Sequence, residues 1–300
     1  MRQEDAKHGT VSLRGFYLRR VFRILPPFYV TLGLATLLCA VGFVPGELQA
    51  GPMKALALHY GNYWFAFHGG DGVPAGTGVY WSLAVEEHFY LLFPLLFLLT
   101  RRLGMDGRRQ GLLFLSLCLV IVAWRSWLVL GTGSWEDRTY LGSDPRFDSI
   151  LFGCTLAVAM NPMLDRPVGS EALWKKVLFP AGIAVILFTF LYRAPWFRES
   201  IRYTLQGVAL TPVFVTAMRF PDWGPMRLLN QRHIAFVGVL SYSLYLVHHV
   251  VIYTVHARLP AVHPVAQGAL ALVVSLAYAL LSYRYVEKPF ARLRKRFRVG

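Results

Sequence analysis

The chain has 300 residues, of which 55% are hydrophobic and only 16% charged, with a mean hydropathy of +0.44. A soluble core of this length cannot cover so much apolar surface, which excludes a single soluble domain. The formal net charge of +15 would suit a nucleic-acid partner, but the Lys and Arg residues cluster between apolar runs, where the positive-inside rule places them, so nucleic acid is excluded as well.

Apolar runs of membrane length are predicted near 28–44, 80–100, 111–130, 145–160, 176–193, 201–219, 234–256 and 265–286. A further apolar stretch, 52–67, is short and is interrupted by His59, Gly61 and Asn62. If it does not cross and the N-terminus is cytoplasmic, the segments left inside carry 23 of the 31 Lys and Arg residues. If it did cross, Arg101, Arg102, Arg108 and Arg109 would face outside. The expectation is therefore an all-α, polytopic membrane helix bundle of about eight full spans plus one re-entrant or partial helix at 52–67, with both termini cytoplasmic. A basic segment, 1–27, precedes the membrane part, 28–290, and a basic tail, 291–300, reads as a headgroup anchor. No repeat of solenoid length is visible. Cys39, Cys118 and Cys154 lie inside apolar runs without metal or disulfide spacing, and read as small packing residues.

Ionisable groups inside spans are costly and need a partner or a wet cavity, so they are the informative positions. Arg19, Arg20 and Arg23 precede the first span, sharing faces at i, i+3 and i, i+4; they suit a phosphate-bearing ligand or a positive-inside anchor. Glu86 and Glu87, in Trp81-Ser82-Leu83-Ala84-Val85-Glu86-Glu87-His88-Phe89-Tyr90, point about 100° apart on a helix. At least one should look into the bundle unless the segment is an interfacial belt. Arg146 and Asp148 are two apart, so each should reach a group on another helix or form a loop-end ion pair. Ser241, Tyr242, Tyr245 and His248 form a hydroxyl and imidazole row, which serves either a polar cavity or helix-packing hydrogen bonds. Arg284 and Glu287, at i, i+3, are expected to pair, with Pro289 ending the helix.

The order and wording of these pieces carry a resemblance. Arg19-Arg20-x-x-Arg23-Ile24-x-Pro26-x-x-Tyr29, Trp81-Ser82-Leu83-x-Val85-Glu86-Glu87-x-Phe89-Tyr90, Arg146-x-Asp148 with Gly153, Ser241-Tyr242-Ser243-Leu244-Tyr245-Leu246-x-His248 and Tyr285-Val286-Glu287-Lys288-Pro289-Phe290 run in the order found in the acyltransferase-3 family. The chain resembles that family of bacterial membrane acyltransferases over about residues 14–293. It departs from the family at the start. Members usually open with two further spans, the first holding a basic residue, ten others and then a histidine. None of the nine histidines here has Lys or Arg eleven positions before it, so the chain is expected to lack the family's first two helices and to be inactive in this form. His88 stands where glutamine is common.

The resemblance implies acyl transfer, often acetyl from acetyl-CoA, to a sugar hydroxyl of a cell-envelope or exported glycan. The donor would be acetyl-CoA or another acyl-CoA, with Arg19, Arg20 and Arg23 at its phosphates. Glu86, Glu87, Arg146, Asp148 and His248 would be the catalytic set, with Ser241, Tyr242 and Tyr245 lining the substrate cavity. The implied setting is the bacterial inner membrane, with membrane lipids and a glycan or lipid-linked sugar acceptor as partners, and with no metal and no permanently bound cofactor. A solute or lipid flippase and a non-enzymatic remnant are the alternatives. The absence of an inverted repeat with paired broken helices weighs against a flippase.

Overall fold

The computed structural model describes residues 1–132, 136–166 and 168–295; the expected basic tail beyond 295 lies outside the described residues. Among the described residues the secondary structure is helical, with one isolated antiparallel bridge, Gly46 to Pro74, and no strand. Six helical stretches are long and apolar enough to cross a membrane: Leu13–Ala40, Thr77–Arg102, Gly107–Thr132, Glu171–Leu191, Arg232–Arg258 and Pro264–Lys295. The two remaining predicted spans correspond to Asp148–Ala159, of 12 residues, and Arg202–Arg219, of 18. At 1.5 Å per residue the first is about 18 Å long, short of the roughly 30 Å hydrocarbon core.

The chain divides into two compact units, Gln3–Ala84 with Arg232–Gly300 and Val85–Gln231. The long helices are α1 (Leu13–Ala40), α2 (Trp81–Arg102), α3 (Gly107–Trp127), α4 (Asp148–Ala159), α5 (Phe179–Leu191), α6 (Arg202–Arg219), α7 (Arg232–Arg258) and α8 (Pro264–Ser282).

In the first unit α1 begins at Ser12, whose hydroxyl accepts from the Gly15 N–H and so satisfies one unpaired donor of the first turn. Pro26 and Pro27 remove two backbone donors inside this helix, and close to them the Tyr242 hydroxyl donates to the Ile24 carbonyl at 2.9 Å. The 52–67 stretch forms two short helices, Ala50–Ala57 and Gly61–His68, broken at His59, whose φ is 58°. Each has eight residues, about 12 Å, so neither crosses the membrane alone. Helices α7 and α8 pack as an antiparallel pair. Ala271, Ser275 and Ala279 form a buried small-residue stripe on α8 that lets the two backbones approach.

The second unit is built on equally close contacts. A side chain at Gly107 would collide with the Val158 carbonyl, and a Cβ at Gly111 would lie 2.6 Å from that of Ala159. This Gly-x-x-x-Gly pair therefore sets the spacing of α3 and α4. Gly182 does the same for α5 and α6, where a Cβ would meet the Ala209 carbonyl at 2.6 Å. On α2, Leu91, Leu92, Leu95 and Leu99 face outward while Phe89, Phe97 and Thr100 are buried. The apolar excess in the composition is thus an outward belt, inverted from a soluble protein and suited to lipid. Among the described residues, Cys39, Cys118 and Cys154 form no disulfide.

Candidate functional site

In the second unit the polar centre is an ion pair that sequence reading missed. Arg125, on α3, is fully buried and makes a two-pronged contact with Asp148, at 3.0 Å from Nη1 to Oδ1 and 3.0 Å from Nη2 to Oδ2. Its Nε–H donates to the Ser200 carbonyl at 2.5 Å, Nη1 donates to the Pro145 carbonyl, and Nη2 donates to the Thr204 hydroxyl at 2.6 Å. That hydroxyl in turn donates a hydrogen bond to Asp148 Oδ2 at 2.6 Å. Such pairing is what makes two charges tolerable at zero exposure. Arg146 and Asp148 do part company, which is one of the two readings their spacing left open. Asp148 binds α3 and α6, while the Arg146 guanidinium lies 3.7 Å from the ring centre of Tyr203 and 5.8 Å from that of Tyr140.

Glu86 and Glu87 are both half-buried, and Glu86 accepts from the Tyr90 hydroxyl one turn on at 3.2 Å. His88 Nδ1 lies 2.6 Å from the Ser143 hydroxyl, so the imidazole at this position ties α2 to the loop before α4.

In the first unit α7 carries the hydroxyl and imidazole row. The Tyr80 hydroxyl donates to the Leu246 carbonyl at 2.7 Å, and that of Tyr245 donates to the Val79 carbonyl at 2.6 Å. A phenol has one proton, so the Ser82 hydroxyl in contact with Tyr245 must be the donor of that pair. Gly76, at φ 86°, presses its backbone onto α7: a Cβ there would lie 2.6 Å from the His249 carbonyl oxygen. The 76–82 segment therefore fixes the height of α7 at His248. His248 Nδ1 is 2.8 Å from the Tyr245 carbonyl and 3.1 Å from that of Leu244. Carbonyls only accept, so in the neutral ring Nδ1 carries the proton and Nε2 presents a lone pair. The half-buried ring thus presents Nε2 as a hydrogen-bond acceptor.

Of the three arginines expected at a donor's phosphates, Arg23 lines a cavity. Arg19 pairs with Glu4 at 3.3 Å, and Arg20 lies over the Phe16 ring at 5.6 Å. Arg23 joins Lys288 and Arg294 around a cavity of about 500 Å³ that also takes in Ser241, Tyr242 and Glu287. Arg294 sits in the basic run that reads as an anchor, and Lys288 enters the sequence reading only as part of the Tyr285–Phe290 motif. Glu287 does not pair with Arg284. It accepts from Ser243, itself bonded to Ser282, at 2.5 Å, and the Arg284 guanidinium lies over Tyr285. The backbone from Tyr283 to Glu287 winds as a π-turn, which moves the two side chains off a common face.

These features define a polytopic all-α membrane protein whose polar chemistry is built into its helices. The family model described as an acyltransferase domain matches residues 9–284, and the chain belongs to this acyltransferase-3 family. It is similar to the peptidoglycan O-acetyltransferase OatA of Listeria monocytogenes, 26% identical over 304 residues, covering 95% of this chain and 47% of the relative. A putative O-acetyltransferase of Staphylococcus aureus is 27% identical over 300 residues, covering 95% and 48%. A putative peptidoglycan O-acetyltransferase of Bacillus subtilis, YrhL, is 28% identical over 294 residues, covering 93% and 46%. The chain spans about half the length of these relatives. No solved structure matches it.

Proposed function

We propose that this chain is the membrane part of an O-acyltransferase, residues 28–290 forming the transferase domain, which moves an acetyl group from acetyl-CoA or another acyl-CoA to a hydroxyl of peptidoglycan or another envelope glycan. The observation that carries this reading is the match to the acyltransferase family along residues 9–284. The orientation of His248 supports it, because acyl transfer to a hydroxyl needs a base with an available lone pair. In the proposed step the sugar hydroxyl oxygen attacks the thioester carbonyl, forming the C–O bond as the C–S bond breaks. The hydroxyl proton passes to His248 Nε2 and from there to the departing thiolate. Arg23, Lys288 and Arg294 hold the donor's phosphates, with Ser241 and Tyr242 on the same cavity wall. Tyr245 holds α7 in register. Within the second unit, Asp148 acts as a positioning residue through Arg125, and Glu86, Glu87 and Arg146 are the other residues of that unit assigned to the function. The setting is the bacterial cytoplasmic membrane with both termini inside.

The test is base-labile acetate on the envelope glycan of the source cell. Deleting the gene should remove it, the wild-type gene should restore it, and His248→Gln should restore roughly 10²-fold less or none. Unchanged acetate after deletion would overturn the proposal, and full restoration by His248→Gln would remove the base from it.

A further inference from the structure

The first unit holds a second cavity that the proposed transfer step does not use. It has a volume of about 470 Å³, lies among α1, α7 and α8, and is walled almost entirely by hydrocarbon. Its floor is Thr31, Val247 and Tyr278, where the Thr31 hydroxyl donates to the Pro27 carbonyl at 2.7 Å and accepts from the Tyr278 hydroxyl at 2.7 Å. Its far end is Phe43, Arg258 and Leu259. From Val247 to Leu259 the α7 wall rises about 18 Å, close to the roughly 15 Å of hydrocarbon in one leaflet. The groove is open along its side, since Leu34, Leu270 and Val274 on its walls are each about 40% exposed. In a chain with six helices of membrane-spanning character, that opening faces a medium of acyl chains.

The one charge on the cavity wall sits at its mouth. Arg258 spends its Nε–H on the Phe43 carbonyl at 3.0 Å and lies over the Phe43 ring, which fixes the guanidinium plane. Among the described residues no carboxylate lies within ion-pair distance of it. An apolar slot one leaflet deep with a cation at its rim complements one kind of molecule. The tail fills the slot and a phosphate meets the guanidinium.

We propose that this groove is a binding site for an anionic glycerophospholipid, one acyl chain lying between α1, α7 and α8 and its phosphate on Arg258. A lipid with its own ammonium group would compete with Arg258 for that phosphate, so phosphatidylglycerol is favoured over phosphatidylcholine. The bound chain would pack on Val247 and Val251, which flank His248 in sequence, and so brace the helix that carries the imidazole. Binding itself stands independently of the acyl-transfer reading.

The experiment is native mass spectrometry of the full chain, purified in a delipidating detergent and titrated with phosphatidylglycerol, phosphatidylcholine or a polyprenyl phosphate. The wild type should retain one phosphatidylglycerol in preference to the other two. Arg258→Gln should weaken that retention about tenfold and erase the headgroup preference. Val274→Trp, which fills the groove from its exposed side, should abolish retention, whereas Leu187→Trp on α5 should leave it unchanged. Gel filtration and circular dichroism establish that each variant is folded. No retained lipid on the wild type, retention by Val274→Trp equal to wild type, or preferred retention of the polyprenyl phosphate would each overturn the proposal.

Discussion

Asp148→Asn is the sharpest probe of how the second unit is held together. The substitution keeps size and much of the hydrogen bonding but leaves the Arg125 guanidinium, at zero exposure, without a counter-charge. With charge centres about 4 Å apart and an effective dielectric near 20, the lost attraction is about 4 kcal/mol. That agrees with the roughly 3–5 kcal/mol typical of breaking one side of a buried pair. The midpoint of heat-induced aggregation in mild detergent, followed by fluorescence size-exclusion chromatography, should fall by about 10 °C. The double variant Arg125→Met with Asp148→Leu removes both charges together with their desolvation cost. It should return to within about 2 kcal/mol of the wild type or exceed it. A single variant that melts with the wild type, or a double variant as unstable as the single one, would refute the claim that an uncompensated charge dominates here.

Gly76→Ala should destabilise the first unit by about 2–4 kcal/mol, combining a positive-φ penalty with a collision at the His249 carbonyl; Gly78→Ala, with open space around it, is the neutral control in the same melt. Gly111→Leu should force α3 and α4 apart and lower the aggregation midpoint, costing about 1–3 kcal/mol, while Gly153→Leu should not. Arg23→Gln and Lys288→Gln should each raise the KM for acyl-CoA about tenfold with kcat within about twofold, because they act on ground-state donor binding; a fall in kcat at constant KM would contradict their place in that cavity.

Much of the architecture could be read in the linear pattern because each span announces itself by length and polarity. The split of Arg146 from Asp148 was one of two readings that their spacing left open, the other being a loop-end ion pair. Arg125 was hidden by its company. It lies near the end of an apolar run between Trp124 and Trp127, where an arginine ordinarily marks the membrane interface. Only the convergence of Ser200, Thr204 and Asp148 on one guanidinium shows that it is an interior group. The expected Arg284–Glu287 pair failed for a local reason. Counting i, i+3 assumes a regular helix, and the π-turn at Tyr283–Glu287 breaks that count and delivers Glu287 to Ser243.

What the sequence determined by itself was the class of molecule and its family: hydropathy marks the apolar helical segments, six of which are long and apolar enough to cross a membrane, and five ordered motifs name the relatives. Tertiary structure decided which polar side chains meet. His248 could be a packing residue or a base on spacing alone, and the choice of Nδ1 as donor comes from carbonyls a turn below it on a helix pinned by Gly76, Tyr80 and Ser82. Arg19, Arg20 and Arg23 read as one cluster in the chain, yet Arg19 pairs with Glu4 and Arg20 lies over Phe16, while Arg23 lines a cavity with cations from beyond α8 beside it. The physical reason is reach. Helical periodicity is local and propagates over a few residues, whereas a desolvated charge is satisfied by whichever distant group the packing brings within about 3 Å.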